Sequence, residues 1–268
     1  MRSLSALLAL VLLGAAPAPR VPQRIVSLNL CADQYLIALA DPAQIAALTR
    51  FARDPQLSAG AAAAIHLPVS RGSAEDVLAL RPDLLVIAPG PQRETARAIA
   101  GRAIPTLTVD FADDYADIVA QTRAVATAIG HPARGEALVR RMDAALADLP
   151  RGAGRGRVAA YYQRRGYLTG TGTLVDDLLR RTGLVNLAAR LGKPALARVS
   201  LEEIAQARPD YLVVETATDR IVDQGSEMLH HPILRTTPRL RVPEAWTVCG
   251  GPAYVRAAAS LTRQLRAK

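Results

Sequence analysis

The chain has 268 residues, half of them hydrophobic and only 4% aromatic, with a formal net charge of +9. That length allows one large or two mid-sized domains of ~100–150 residues each. The composition excludes disorder, a collagen-like repeat and a disulfide-dense mini-scaffold. The scarcity of aromatics argues against a stacking platform for single-stranded nucleic acid. The positive excess is Arg scattered along the chain, which fits a solvated surface, an anionic ligand or an anionic surface. No dense basic stripe points to nucleic acid.

Residues 1–18 read as a secretory signal peptide. Arg2 supplies the positive start, Leu4 to Leu13 the short apolar run, and Gly14, Ala15 and Ala16 the small residues before a cleavage site. The run is shorter than the ~20 residues a membrane span needs. The mature protein is therefore expected to be soluble and outside the cytoplasm. That compartment is oxidising, which bears on Cys31 and Cys249.

Arg24 to Asn29 is β-branched and reads as a first strand, and Asp33 to Ala40 has helical spacing. Ile45 to Leu48 reads as a second strand. A short helix is expected around Val77 to Leu80, a buried strand at Leu84 to Ala88, a helix at Arg93 to Gly101 and a strand at Thr106 to Val109. Apolar runs alternating with helices indicate parallel βαβ units. Gly135 to Leu149 is strongly helical, with Leu138, Met142, Ala145 and Leu149 on one face, and Pro132 offers an earlier start. The Gly- and Arg-rich segment 150–156 ends it. The alternation restarts with a strand at Val158 to Tyr162 and a helix at Leu174 to Arg181. Strands at Tyr211 to Val214 and Ala245 to Val248 follow, and a helix from Tyr254 to Leu265 closes the chain.

The reading is an α/β protein: an N-terminal lobe over 24–130, a linking helix over 131–150 and a C-terminal lobe over 157–268. A duplication supports it. Ser73 to Ile87 aligns without gaps on Ser200 to Val214, with identity at seven of fifteen positions. Each copy opens with a capping box, Ser73 with Asp76 and Ser200 with Glu203. Glu75 and Glu202 thereby fall in the first turns of equivalent helices. The helix dipole alone favours acids there. Their symmetry also makes a two-point anionic face, suited to a partner with two basic patches.

These segments resemble the periplasmic binding proteins for ferric siderophores and cobalamin, which serve ABC importers. The resemblance rests on Arg24 to Leu28, Glu75 to Leu84, Val199 to Ile204 and Ala207 to Val214, and it runs from about Arg24 to Leu265. It implies two Rossmann-like lobes with parallel sheets, one long linking helix and a ligand cleft between the lobes. It implies a monomer that binds a metal chelate, has no catalytic residues and no cofactor, and docks Glu75 and Glu202 on arginines of a membrane permease.

In parallel α/β sheets ligands bind at the C-terminal ends of strands. The loops after the expected strands therefore supply the candidate ligand residues Asn29, Cys31, Arg53, Arg71, Arg93, Tyr162, Arg164, Trp246, Cys249 and Tyr254. The arginines, with Arg165, suit carboxylate or catecholate oxygens. Trp246, Tyr161 and Tyr162 suit the face of a macrocycle, but strand alternation sends only one of the two tyrosines to a given side. Cys31 and Cys249 are open to three readings: a disulfide stapling the lobes, a thiolate pair touching a metal, or two unpaired thiols.

Gly170 to Thr173 precedes a helix but lacks a Walker lysine, so it is at most an anion-holding helix start. The four histidines, including His230 and His231, have no metal-ligand spacing. Two alternatives compete with a chelate carrier: a free Zn²⁺ or Mn²⁺ carrier of similar fold, and a periplasmic metallo- or redox enzyme using Cys31, Cys249 and His230.

Overall fold

The computed structural model describes residues 20–89, 93–221 and 223–267, with Arg93 described in its backbone alone. The expected signal peptide, 1–18, lies outside the described residues. In chain order the first lobe contains β1 (Ile25–Ser27), α1 (Leu30–Leu39), β2 (Ile45–Thr49), α2 (Ala61–Ala64) and β3 (Val69–Ser70). It continues with α3 (Ala74–Ala79), β4 (Leu84–Ile87), α4 (Arg93–Ala98), β5 (Thr106–Thr108) and α5 (Tyr115–Ala128). Its strands form one sheet in the order β3-β2-β1-β4-β5, and every pairing is parallel. Helices cover both faces, so β1 and β4 are buried at every position. One face packs Ile25, Tyr35, Leu39, Leu48 and Val86, and the other packs Val26, Leu28, Val77, Leu85 and Ile99.

The linking helix is α6 (Pro132–Ala147), 16 residues or roughly 24 Å at 1.5 Å per residue. Pro132 suits its first turn, where no amide hydrogen is needed. α6 does not link the lobes alone. It is paired with α5, and a Cβ at Gly135 would come within 2.5 Å of the Ala126 Cβ, so glycine allows the close approach. Val125 and Ala126 of α5, with Ile129 at its C-cap, belong to the first lobe's core. Ile118 of α5, with Val139 and Met142 of α6, belongs to the second lobe's core. The helix pair is thus anchored in both lobes.

The second lobe contains β6 (Val158–Gln163), β7 (Tyr167–Thr169), α7 (Leu174–Arg181), β8 (Val185–Asn186), α8 (Leu187–Arg190) and β9 (Leu196–Arg198). After these come α9 (Leu201–Ala207), β10 (Tyr211–Glu215), α10 (Gln224–Glu227), β11 (Arg239–Val242) and α11 (Tyr254–Arg266). The sheet order is β11-β10-β6-β7-β9, with β8 also on β6. This sheet is mixed, a correction to the expectation of parallel sheets in both lobes. β7 is antiparallel to β6 and to β9. Only Arg164–Gly166 joins β6 to β7, with Arg165 and Gly166 at φ 60° and 77°. A link that short permits a hairpin and is too short for a parallel crossover.

The last strand is also displaced from expectation. It is Arg239–Val242, with Leu240 and Val242 buried and Arg241 exposed, rather than Ala245 to Val248. Pro243 follows and has no amide hydrogen to continue the ladder. Glu244–Trp246 forms a 3₁₀ turn instead.

The duplicated segments occupy matching places. Ser73 caps α3 through the Asp76 amide, and Ser200 caps α9 through the Glu203 amide, each at 3.2 Å. Arg81 and Arg208 both adopt left-handed backbone, at φ 46° and 47°. Asp83 accepts the amide hydrogens of Gln23 and Arg24, at 2.7 and 2.8 Å, where the chain enters β1. Asp210 does the same for Val158 at the start of β6, at 2.7 Å.

Candidate functional site

A cavity of about 390 Å³ lies between the lobes, at the C-terminal ends of strands from both sheets. The first lobe contributes Cys31, at the start of α1, and the segment Asp110 to Asp113 that follows β5. The second lobe contributes Tyr161 and Gln163 of β6, Thr169 of β7 and Thr173 to Val175 at the start of α7. It adds Glu215 at the end of β10 and, beyond β11, Glu244 and Thr247 to Gly250.

Cys31 and Cys249 are joined in a disulfide with a Cα–Cα separation of 5.2 Å, closing across 218 residues of sequence. Of the three sequence readings, the staple is the one formed. Both cysteines line the cavity, so the bridge forms part of its wall. Asn29 caps α1 by accepting the Cys31 amide hydrogen at 2.7 Å, which fixes the backbone that presents the sulfur. Two further contacts close the seam. Tyr35 donates its hydroxyl hydrogen to the Gly250 carbonyl at 2.7 Å. A Cβ at Gly250 would fall 2.2 Å from the Ala112 Cβ, so glycine is required there for the lobes to approach.

The polar groups of the second-lobe wall are interlocked. Gln163 donates from Nε2 to Glu215 Oε1 at 2.9 Å, and the Tyr161 hydroxyl lies 3.1 Å from Thr247 Oγ1. Thr173 caps α7 with its hydroxyl oxygen and donates to the Gly170 carbonyl, so this Gly-Thr segment keeps its side-chain hydrogen bonds internal. Glu215 is only 5% exposed, and no described cation forms an ion pair with it. Burial, reinforced by the Glu215 charge, raises the Glu244 carboxyl above its ordinary value, with Arg164 opposing. Burial likewise raises the Tyr161 phenol.

The structure brings together some of the predicted residues and separates others. Cys31 and Cys249 are in the cavity wall. Arg164 is at its mouth, in a hollow shared with Gln163, Arg165, Tyr167, Glu215 and Glu244. Its guanidinium is held 2.9 Å from Asp223, which drops to a pKa of about 2 chiefly through that hydrogen bond. Arg53 serves its own loop, donating to the carbonyls of Ala64 and Leu67. Arg71 is exposed between β3 and α3 and does not line the cavity. The Arg93 side chain lies outside the described residues. The pleat sends Tyr161 to the cavity and Tyr162 into the core, where its hydroxyl donates to the Val199 carbonyl at 2.8 Å. Trp246 is half-buried against the second lobe's core.

Tyr254 is also internal rather than cleft-facing. It donates to Asp177, accepts from Arg181 Nε and stacks on Tyr115 with ring centroids 5.6 Å apart. Tyr115 in turn donates to Asp143 of α6 at 2.7 Å. These contacts tie α5, α6, α7 and α11 at the back of the molecule, opposite in role to the cystine at the cleft.

Sequence reasoning did not single out Asp110, Phe111, Asp113, Glu215 or Glu244. The strand-end rule was the signal for all of them. It was not applied after β5, and at the last strand it was applied from the wrong residues.

Glu75 and Glu202 are exposed at matching positions of α3 and α9. Each has its carboxyl held below the ordinary value by the first-turn backbone amide and the capping serine. His230 bonds the Thr218 carbonyl at 2.8 Å, far in role from the cystine. Among the described residues no group of three or more His, Cys, Asp or Glu is arranged to hold a metal ion. No described helix is long and apolar enough to cross a membrane.

Two α/β lobes, a helical link and a cavity walled by both lobes define a two-lobe ligand-binding protein. The family model described as "Periplasmic binding protein" matches residues 25–241, and the chain belongs to that family of ABC-importer binding proteins. Its members are binding proteins, not enzymes, which removes the redox-enzyme alternative. Among solved structures the chain is similar to the periplasmic heme-binding protein RhuT from Roseiflexus sp. RS-1 in apo form. The two share 26% identity over 91% of this chain and 98% of that one, with a TM-score of 0.74. The periplasmic vitamin B12 binding protein BtuF of Vibrio cholerae shares 15% identity over 92% and 98% of the two chains, with a TM-score of 0.67. An ABC-type Fe3+-hydroxamate transport protein from Saccharomonospora viridis DSM 43017 shares 20% identity over 90% and 92%, with a TM-score of 0.68. These last two likenesses concern the fold. None of the curated proteins matches.

Proposed function

We propose that this protein captures a metal-centred chelate, a ferric siderophore or a corrinoid, between its lobes and delivers it to an inner-membrane ABC permease. The observation that carries this reading is the cavity at the strand ends, walled by both lobes and built from side chains that bind rather than react. The titles of the similar structures name heme, vitamin B12 and an Fe3+-hydroxamate, all of them metal-centred ligands. The protein acts in the periplasm as a soluble monomer after removal of 1–18. Glu75 and Glu202, one exposed carboxylate on each lobe in equivalent helix turns, are the docking points for permease arginines.

Calorimetric titration of the mature protein with cyanocobalamin, haem and a panel of ferric siderophores tests the first half. Saturable one-to-one binding of one of them is the expected result, and silence with all of them defeats the chelate reading. The second half is tested by the Glu75→Arg, Glu202→Arg double variant. It should bind the chelate as tightly as wild type yet lose uptake in a cell that depends on this carrier. Uptake at the wild-type rate would remove both glutamates from the docking face.

A further inference from the structure

The candidate ligand clamp read from the sequence is basic, and the wall observed is acidic. Asp110, Asp113, Glu215 and Glu244 line the cavity, and no Lys or Arg does so among the described residues. This is the reverse of the chain's overall +9 charge. Arg164 and Arg165 reach only the mouth, and Arg164 is occupied by Asp223.

Glu215 is the centre of the arrangement. It ends β10, the strand between β6 and β11, and is 95% buried by its 5% exposure. One described hydrogen bond reaches its carboxylate, from the neutral amide of Gln163. It forms no described ion pair, although the Arg164 guanidinium in the same hollow is near enough to feel its charge. A buried carboxylate facing an inter-lobe cavity calls for a donor from the ligand side.

We propose that the inner wall selects a chelate presenting an ammonium or amide N–H donors to Glu215, and rejects chelates that carry anionic groups to that wall. This rests on the chelate reading and narrows it to neutral or cationic chelates. Glu244 lines the same wall beside Glu215, its carboxyl raised first by burial and then by the Glu215 charge, with Arg164 opposing. Phe111 and Val248, at 69% and 43% exposure on the two sides of the cavity, supply apolar cover for the ligand's body without altering its charge preference.

The test is a titration panel graded by charge. It contains an ammonium-bearing linear ferric trihydroxamate, its N-acetylated neutral form, neutral amide-bearing cyanocobalamin, and two anionic ligands, a ferric tricatecholate and haem. The tightest ligand should be neutral or cationic, with the anionic pair weaker by roughly tenfold or more, the scale of one charge contact of a few ångströms near a protein surface. Glu215→Gln should shrink that gap by a similar factor, and Glu244→Gln, at the less buried carboxylate, by less. Thermal melts establish that both variants fold, and Glu244→Gln supplies the answer if Glu215→Gln does not. An anionic chelate binding best, or a gap that neither glutamine variant changes, overturns the inference and leaves the chelate reading standing. Silence with every ligand overturns both.

Discussion

Ser73 to Ile87 in the first lobe and Ser200 to Val214 in the second run the same course: a serine cap, an acid in the first turn, a left-handed arginine, and an aspartate that ties down the start of the lobe's first strand. Beyond that shared frame the lobes part. The first lobe's sheet is parallel throughout, and it gives the cavity only Cys31 and the segment after β5. The second lobe replaces one crossover by the β6–β7 hairpin and supplies most of the wall, including Gln163, Thr169 and Glu215. The repeated frame therefore sets cores and strand positions, while the ligand wall comes from what differs between the copies.

The joint between the lobes is where that comparison can be broken with the largest effect. At the back, α5 and α6 are embedded in both cores, and at the cleft the cystine closes a 218-residue separation. The Cys31→Ala, Cys249→Ala double variant should lose about 2–5 kcal/mol of stability, since the bridge restricts a long loop in the unfolded chain. Denaturant unfolding followed by far-UV circular dichroism measures it. A single transition at a lower midpoint would mean that the helix pair alone keeps the lobes cooperative. Two transitions would mean that the cystine made them one unit, and an unchanged midpoint would mean that the bridge adds nothing.

The sequence carried the frame well because the frame is local. Capping boxes, the Arg-Pro-Asp corner and buried apolar runs have short signatures, and they located α3, α9, β4 and β10. α5 was missed because Tyr115 to Ala128 is packed by both lobes and so lacks one clean apolar stripe. β7 was missed because three residues at a hairpin carry no crossover pattern. The site was less legible for a related reason. Arg53 and Arg164 have the right chemistry for an anion, but a carbonyl pair and Asp223 consume them, and only three-dimensional partners reveal that. Glu215 stands at a strand end like many acids, and its burial without an ion pair is invisible in sequence.

A smaller effect sharpens the comparison by pH. Asp33, on α1 of the first lobe, is fully buried and accepts hydrogen bonds from the Thr49 amide and hydroxyl. Burial outweighs those bonds and raises its carboxyl from 3.8 to about 6. The folded state then holds a proton that the unfolded state has released between those values, so stability is greatest below pH ~4 and falls as pH rises to ~6. Two pH units correspond to about 3 kcal/mol. Asp33→Asn should remove that decline while keeping an acceptor for Thr49, and should be more stable than wild type at pH 7.5. Chemical denaturation at pH 4 and pH 7.5 checks it, and equal slopes in the two proteins would show that Asp33 is ionised in the folded state at low pH.

The smallest expected effect is the most direct comparison of the copies. Arg81 and Arg208 sit at φ 46° and 47°, a backbone region that costs a side-chain-bearing residue about 1–2 kcal/mol and glycine almost nothing. Glycine gives part of that back through its greater freedom in the unfolded chain, so each Arg→Gly change should stabilise by about 0.5 kcal/mol. The residues belong to different lobes with no shared partner, so the double variant should gain about 1 kcal/mol by addition. Arg81 accepts from Arg24 through its backbone carbonyl, a contact that glycine retains. Equal gains measured as shifts in the denaturation midpoint would mean that the two corners are energetically equivalent as well as alike in backbone. A gain at one corner alone would mean that the other arginine side chain holds something its backbone angle does not reveal, and that the duplication extends to shape but not to energy.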